Sequence, residues 1–128
     1  MEEELASVKE YIAKKFKIVT RLKKAVKLLT LTESQEREMR KEIIRELKPL
    51  YSDYVKFRSD DERFIEAEIA TFEERMSYLP KDVVVELFED VRFYKTLKTE
   101  LARNFFIQSL LHQLSLLLPP SGWLIKKK

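Results

Sequence analysis

Apolar residues recur three and four apart along the start of the chain, at Leu5, Val8, Ile12, Phe16, Val19, Leu22, Val26 and Leu29. That spacing predicts an amphipathic helix over 4–29. Glu2, Glu3 and Glu4 at its beginning and lysines near its end suit the helix dipole. Thr32 and Gln35 then form a capping-box pattern, opening a second helix whose inner face carries Met39, Ile43 and Leu47. Pro49 lacks an amide hydrogen and crowds the preceding turn, which predicts a break near Lys48 and a short aromatic continuation through Leu50, Tyr51, Tyr54 and Phe57.

Ser59 and Glu62 repeat the capping-box signal, and Ile65, Ile69, Phe72, Met76 and Leu79 follow by fours and threes, the seam of helix-on-helix packing. Pro80 restarts the chain with Asp82 favouring a helix beginning, and Leu87, Val91, Tyr94, Leu97, Leu101 and Phe105 carry the period towards Leu118. Unbroken, that helix runs about 36 residues, roughly 55 Å. Val83, Val84 and Val85 are β-branched, but three residues inside a helical period make a poor strand. Pro119 and Pro120 stop the helix, and Gly122 permits a turn into a tail, 119–128. The expected fold is all-α: an antiparallel bundle of about four helices with a long C-terminal helix and a short apolar tail, in a single domain over 1–128.

Composition agrees with one folded domain. The 128 residues are 45% hydrophobic and 37% charged, well clear of the disordered class. Abundant Lys, Glu and Arg with one Asn and three Gln matches the thermophile bias. With no cysteine, disulfides and thiolate chemistry are excluded, and one glycine cannot build a phosphate-binding loop. Acids occupy the N-terminal positions where a secretory signal carries its positive region, so an intracellular, cytoplasmic setting is expected.

Charge divides the first helix. From Lys9 to Lys27 there are eight basic residues against one acid, Glu10. At 100° per residue, Lys14, Lys17, Arg21, Lys24 and Lys27 fall on one side and Val8, Ile12, Val19, Leu22 and Val26 on the other. The cationic face suits sequence-independent contact with nucleic-acid backbone, an anionic lipid surface or an acidic protein. Its plainer explanation is a solvated face lying against residues 32–79, whose nine basic and thirteen acidic side chains leave a net of minus four, or against that stretch in another subunit.

The C-terminal part is the opposite. No charge occurs from Asn104 to Ile125, and Phe105 to Leu118 holds nine strongly apolar residues in fourteen. A membrane span needs about twenty, and Gln108, Ser109, His112, Gln113 and Ser115 interrupt this one. A membrane role is therefore not expected, although Trp123 before Lys126, Lys127 and Lys128 has the form of an interfacial anchor. An apolar helix must be enclosed, so Leu110, Leu111, Leu114, Leu117, Leu118, Trp123, Leu124 and Ile125 are expected either in the protein's own core or at a protein interface.

Catalytic chemistry has little to build on. His112 is the one histidine, reads as a core residue, and has Ser109 rather than Glu three positions earlier, against the Glu-x-x-His ligand pattern of metal-binding bundles. The acids Asp60, Asp61, Glu62, Glu66, Glu73 and Glu74 read as a solvated face with Arg63 and Arg75 among them. No catalytic, cofactor or metal residue is assigned. The sequence points to a non-enzymatic scaffold or assembly subunit, self-associating or joining a larger complex through Leu110 to Ile125. The alternative is a sequence-independent nucleic-acid backbone binder using the first helix.

Overall fold

With one glycine in the chain, helix starts at Thr32, Asp61 and Thr99 are met by side-chain caps, because the first amides of a helix have no partner within it. The structure, a computed structural model, describes residues 2–15 and 17–122, with Ile18 and Val19 described by backbone alone. Among the described residues it is all-helical, with no strand: α1 (Glu2–Lys14), α2 (Ile18–Thr30), α3 (Glu33–Arg58), α4 (Glu62–Ala70), α5 (Phe72–Met76), α6 (Lys81–Thr96) and α7 (Glu100–Leu117). These seven helices replace the expected four or so, because three of the expected helices are interrupted.

The predicted first helix is divided into α1, which ends at Lys14, and α2, which begins at Ile18, the predicted position Phe16 lying outside the described residues, and the two pieces pack on different neighbours, α1 on α7 and α2 on α6. The predicted third helix is broken at Thr71, whose hydroxyl donates to the Ala67 carbonyl at 2.6 Å and whose backbone leaves the helical region (φ −96°, ψ 0°). Its cap also shifts: Ser59 closes α3, and Asp61 is the N-cap of α4, accepting from the Arg63 and Phe64 amides. The predicted 36-residue helix is divided at 97–99 into α6 and α7.

That last break is made by a residue from the other end of the chain. One carboxylate oxygen of Glu4 accepts hydrogen bonds from the Lys98 amide, the Thr99 amide and the Thr99 hydroxyl, at 2.8, 2.6 and 2.9 Å. Thr99 in turn accepts from the Ala102 amide, so orphan donors at the start of α7 are satisfied. Arg103 closes the end of α6 by donating to the Leu97 carbonyl. The fold-back sets α7 against α1 and α3.

Pro49 does the reverse of what was expected: α3 runs through it without interruption. An interior proline costs about 3 kcal/mol. Ile43 and Leu47 before it and Tyr51, Tyr54 and Val55 after it are buried, and each such side chain contributes roughly 1.5–3 kcal/mol on full burial, so packing outweighs the local penalty. The capping box Thr32–Gln35 forms with both hydrogen bonds, and Val83, Val84 and Val85 are helical, as the sequence indicated.

One core gathers from most of these elements. Val8, Ile43, Leu47, Phe72, Val84, Val91, Leu111 and Leu114 have almost no exposure, and α3 and α6 form its centre. Tyr11 stacks on Phe93 with ring centroids 4.0 Å apart, and Phe106 meets both edge-on. Arg75, wholly buried, donates to the Thr71 hydroxyl and the Glu68 carbonyl and pairs with the Glu68 carboxylate beside Tyr51.

Hydrogen bonding to the Thr99 amide first, then to the Thr99 hydroxyl and Lys98 amide, holds the Glu4 carboxyl below its ordinary 4.5. A lowered folded pKa stabilises fully above that value and ceases to do so as pH falls through the lowered one. Glu4→Gln is therefore expected to lower Tm at pH 7, with the gap to the native chain closing on acidification, checked by thermal unfolding across pH 3–7. Pro49→Ala restores a donor to the Arg45 carbonyl and is expected to stabilise by about 1–2 kcal/mol in urea denaturation.

Candidate interaction surface

The helix α2 is where sequence and structure differ most in consequence. Its half-buried side, facing α6, is Thr20, Lys24, Lys27, Leu28 and Leu31, spaced at four, three, one and three. Its outward side carries an apolar row, with Leu22 61% exposed, Val26 62% and Leu29 86%, between the exposed Arg21 and Lys23. The two faces are those the wheel predicted, but Leu22 and Val26 of the expected dry face are in water and Lys24 and Lys27 of the cationic face are turned inward, while the side chain of Val19 lies outside the described ones.

The cause lies in what α6 presents. Its apolar positions Val84, Leu87, Phe88 and Val91 belong to the core, and what it offers α2 is buried Val85, which lines a common cleft with Ala25 and Leu28, together with carboxylates. Lys27 pairs with Glu89 at 2.9 Å, and Lys24 approaches Glu86 to 3.7 Å. Lys81 at the start of α6 donates to the Leu31 carbonyl, the C-cap of α2. The acids that meet the basic helix thus come from 86–90, not from 32–79 as expected.

At the break between α1 and α2, Lys15 donates to Asp90 at 2.9 Å and approaches Glu86 to 3.7 Å. The other Asp90 oxygen accepts from the Tyr11 hydroxyl at 2.8 Å. Asp90 is 2% exposed, and burial pushes its carboxyl up from the ordinary range while Lys15 and then Tyr11 pull it back. Burial and the neighbouring Asp90 charge push the Tyr11 hydroxyl up. This network ties α1 to α6, and Asp90 has no open surface on which to meet a ligand. The sequence did hold its signal: Asp90 lies three beyond Leu87 and four before Tyr94, a lone charge on an apolar seam.

The remaining predicted cations divide. Lys14 pairs with Glu10 on its own helix at 2.9 Å. Lys17 is the exposed N-cap of α2. Arg21 and Lys23 are exposed, about 100° to either side of Leu22, and neither pairs with a carboxylate among the described residues. Arg21 borders a cleft of about 370 Å³ between α2 and α6. Lys15, Arg21 and Lys24 are offset there by Asp82 and Glu86, leaving little net field for a phosphate.

The C-terminal leucines also divide. Leu110, Leu111, Leu114 and Leu118 are buried in the protein's own core, whereas Leu116 and Leu117 are 74% and 52% exposed. Trp123, Leu124 and Ile125 lie outside the described residues. The stop at Pro119 holds, with α7 ending at Leu117. His112, expected in the core, is exposed, because the turn it occupies buries Leu111 and Leu114 instead. It borders a cleft of about 570 Å³ with Tyr51, Tyr54, Phe64 and Ser115. The Ser115 hydroxyl donates to the His112 carbonyl rather than to its ring, so the pair does not make a nucleophile and base. No group of three metal-ligating side chains comes together among the described residues, and none of their helices is long and apolar enough to cross a membrane.

A further cleft, of about 270 Å³, lies between α3 and α7. Leu50, Tyr54, Phe57, Tyr94, Ile107 and Leu111 line it, with Asp53, Asn104 and Gln108 as its polar members. Phe57 is 91% exposed at its edge. Comparison of the chain with protein-family models, curated proteins and solved structures finds no match.

The Asp90 network yields its own test. Tyr11→Phe leaves the ring stack in place and removes one donor from a buried carboxylate, which costs about 1–3 kcal/mol. The loss is expected in urea denaturation at pH 7 and to shrink on acidification, since protonated Asp90 needs the donor less.

Proposed function

We propose that this protein is a non-enzymatic assembly subunit, and that its docking surface is the outward face of α2. The carrying observation is the row Leu22, Val26 and Leu29, four and three apart, exposed on the side of the helix opposite its ion pairs with α6. Single exposed leucines are ordinary, but a row at helical spacing is the form an amphipathic helix takes when its apolar face meets a partner. Leu116 and Leu117 are a smaller patch that supports the same reading at the C-terminal end. Leu110, Leu111, Leu114 and Leu118 contribute to the fold of the subunit itself, so the uncharged segment serves assembly through its outer positions.

A second reading, sequence-independent contact with nucleic-acid backbone, rests on Lys17, Arg21 and Lys23, which are exposed and unpaired among the described residues. Three cations give a shallow salt dependence, with a slope of about −3 on a log–log plot for a duplex.

Salt separates the two. Apolar association is expected to hold or strengthen as NaCl rises, while backbone binding weakens. In sedimentation equilibrium the intact chain is expected to exceed monomer mass at high concentration and to keep that mass in 1 M NaCl. Leu22→Ser/Val26→Ser is expected to remain monomeric with stability within about 1 kcal/mol of native, because both side chains are already largely exposed. A native chain that stays monomeric at every concentration and salt overturns the self-association; retention of random duplex at low salt by that monomer favours the second reading.

A further inference from the structure

We infer a further site, independent of how α2 is used: the cleft where α3, α4 and the C-terminal half of α7 meet binds a small aromatic carboxylate. Its floor is dry and its mouth is polar. Tyr51, Tyr54 and Val55 of α3 are buried, while Arg58 at the end of α3, Phe64 of α4 and His112 of α7 are exposed. At about 570 Å³ the cleft has the size that encloses most of a small organic molecule, and the meeting of helices in a bundle is a common place for one.

What the ligand must offer is decided by which lining groups are already engaged. Both carboxylates are committed to the fold. Glu68 pairs with buried Arg75 and accepts from the Tyr51 hydroxyl. Asp61 caps α4, accepting from the Arg63 and Phe64 amides. Three groups are left over. The Arg58 guanidinium lies over the Tyr54 ring, 4.4 Å from its centroid, and has no carboxylate partner among the described residues. The Tyr54 hydroxyl, on a side chain only 8% exposed, has no hydrogen-bond partner among them. Nor has the His112 ring, whose residue is engaged through its carbonyl alone, by Ser115.

Tyrosine and histidine each donate or accept, so neither sets the sign of the ligand. Arginine only donates. An oxyanion is therefore the end that meets Arg58, whose planar fork matches the two oxygens of a carboxylate. Neither lining carboxylate gives Arg58 a salt bridge, since Glu68 is neutralised by Arg75 and Asp61 is turned to the first amides of α4. The body of the ligand is a ring, because Tyr51, Tyr54 and Phe64 offer aromatic surface and planar rings pack best on their like. A hydroxyl buried without a partner is costly, and a ligand oxygen that reaches Tyr54 removes that cost.

Titration of the full chain with naphthoate at constant pH, followed through the imidazole resonances of its one histidine, tests the site without any substitution. Those resonances are expected to shift saturably, with one ligand bound per chain by calorimetry. Naphthamide has the same shape without the charge and is expected to bind at least ~10-fold more weakly. Arg58→Gln is expected to abolish that preference, and Tyr54→Phe, which keeps the ring, to weaken both ligands by about 3–10-fold. Circular dichroism checks that both variants fold. Absence of saturable binding at millimolar naphthoate overturns the inference, as does binding that leaves the His112 resonances unmoved, which places the ligand elsewhere. Equal affinity for naphthoate and naphthamide overturns the carboxylate, and tighter binding of laurate overturns the ring. Full affinity in Arg58→Gln or Tyr54→Phe overturns the contacts assigned to those side chains. The assembly reading stands or falls separately, by the sedimentation of the native chain.

Discussion

Helix ends are the constraint on which this architecture depends. Each α-helix leaves amides at its start and carbonyls at its end without intrahelical partners, and the commonest remedy at the C-terminus is a left-handed glycine. Among the described residues none takes a positive φ. Three of the ends are met instead by long charged side chains reaching from other helices. Glu4 of α1 serves the start of α7, and Lys81 serves the end of α2. Arg40 of α3 donates to the Met76 and Leu79 carbonyls where α5 ends. A cap made this way is also a tertiary contact, so the position of a break and the packing of the pieces are decided together.

That coupling explains what the sequence showed and what it hid. Periodicity names the apolar face of a helix, and it did so for Val8, Ile43, Leu47, Phe72, Val91 and Leu114, all buried. Local capping chemistry is equally legible, as Thr32 and Gln35 show, because both partners lie within one turn. The divisions between α1 and α2 and between α6 and α7 leave the apolar period intact, and the Glu4 carboxylate that stabilises the second is 95 residues from Thr99. No window on the sequence contains both. Pro49 is the complementary case: a strong local signal for a break, overruled by the burial of Tyr51, Tyr54 and Val55 beyond it.

The candidate surface was half legible for a related reason. A helical wheel separates two faces but does not say which one meets the protein. Hydrophobicity alone assigns the apolar side inward, and for α1 that assignment holds, with Val8 wholly buried. For α2 the neighbouring surface on α6 combines Val85, in a common cleft with Leu28, with the carboxylates of Glu86 and Glu89, and Lys24 and Lys27 answer the carboxylates. What decided the orientation was the outer face of another helix some sixty residues away, where Lys27 meets Glu89.

The strength of that attachment bears on how α2 works. Lys27 and Glu89 are 41% and 34% exposed, and pairs in such surroundings contribute roughly 0–1 kcal/mol. The inward apolar side chains, Leu28 and Leu31, are only half-buried. So α2 is held more loosely than α3, α6 or α7, and elements of that kind open at the lowest free energy in a native structure. Burying Leu22, Val26 and Leu29 against a partner removes apolar area from water on the opposite side of the same helix. A contact made only by the seated helix raises the free energy of its opening, so docking and the ordering of α2 are thermodynamically linked.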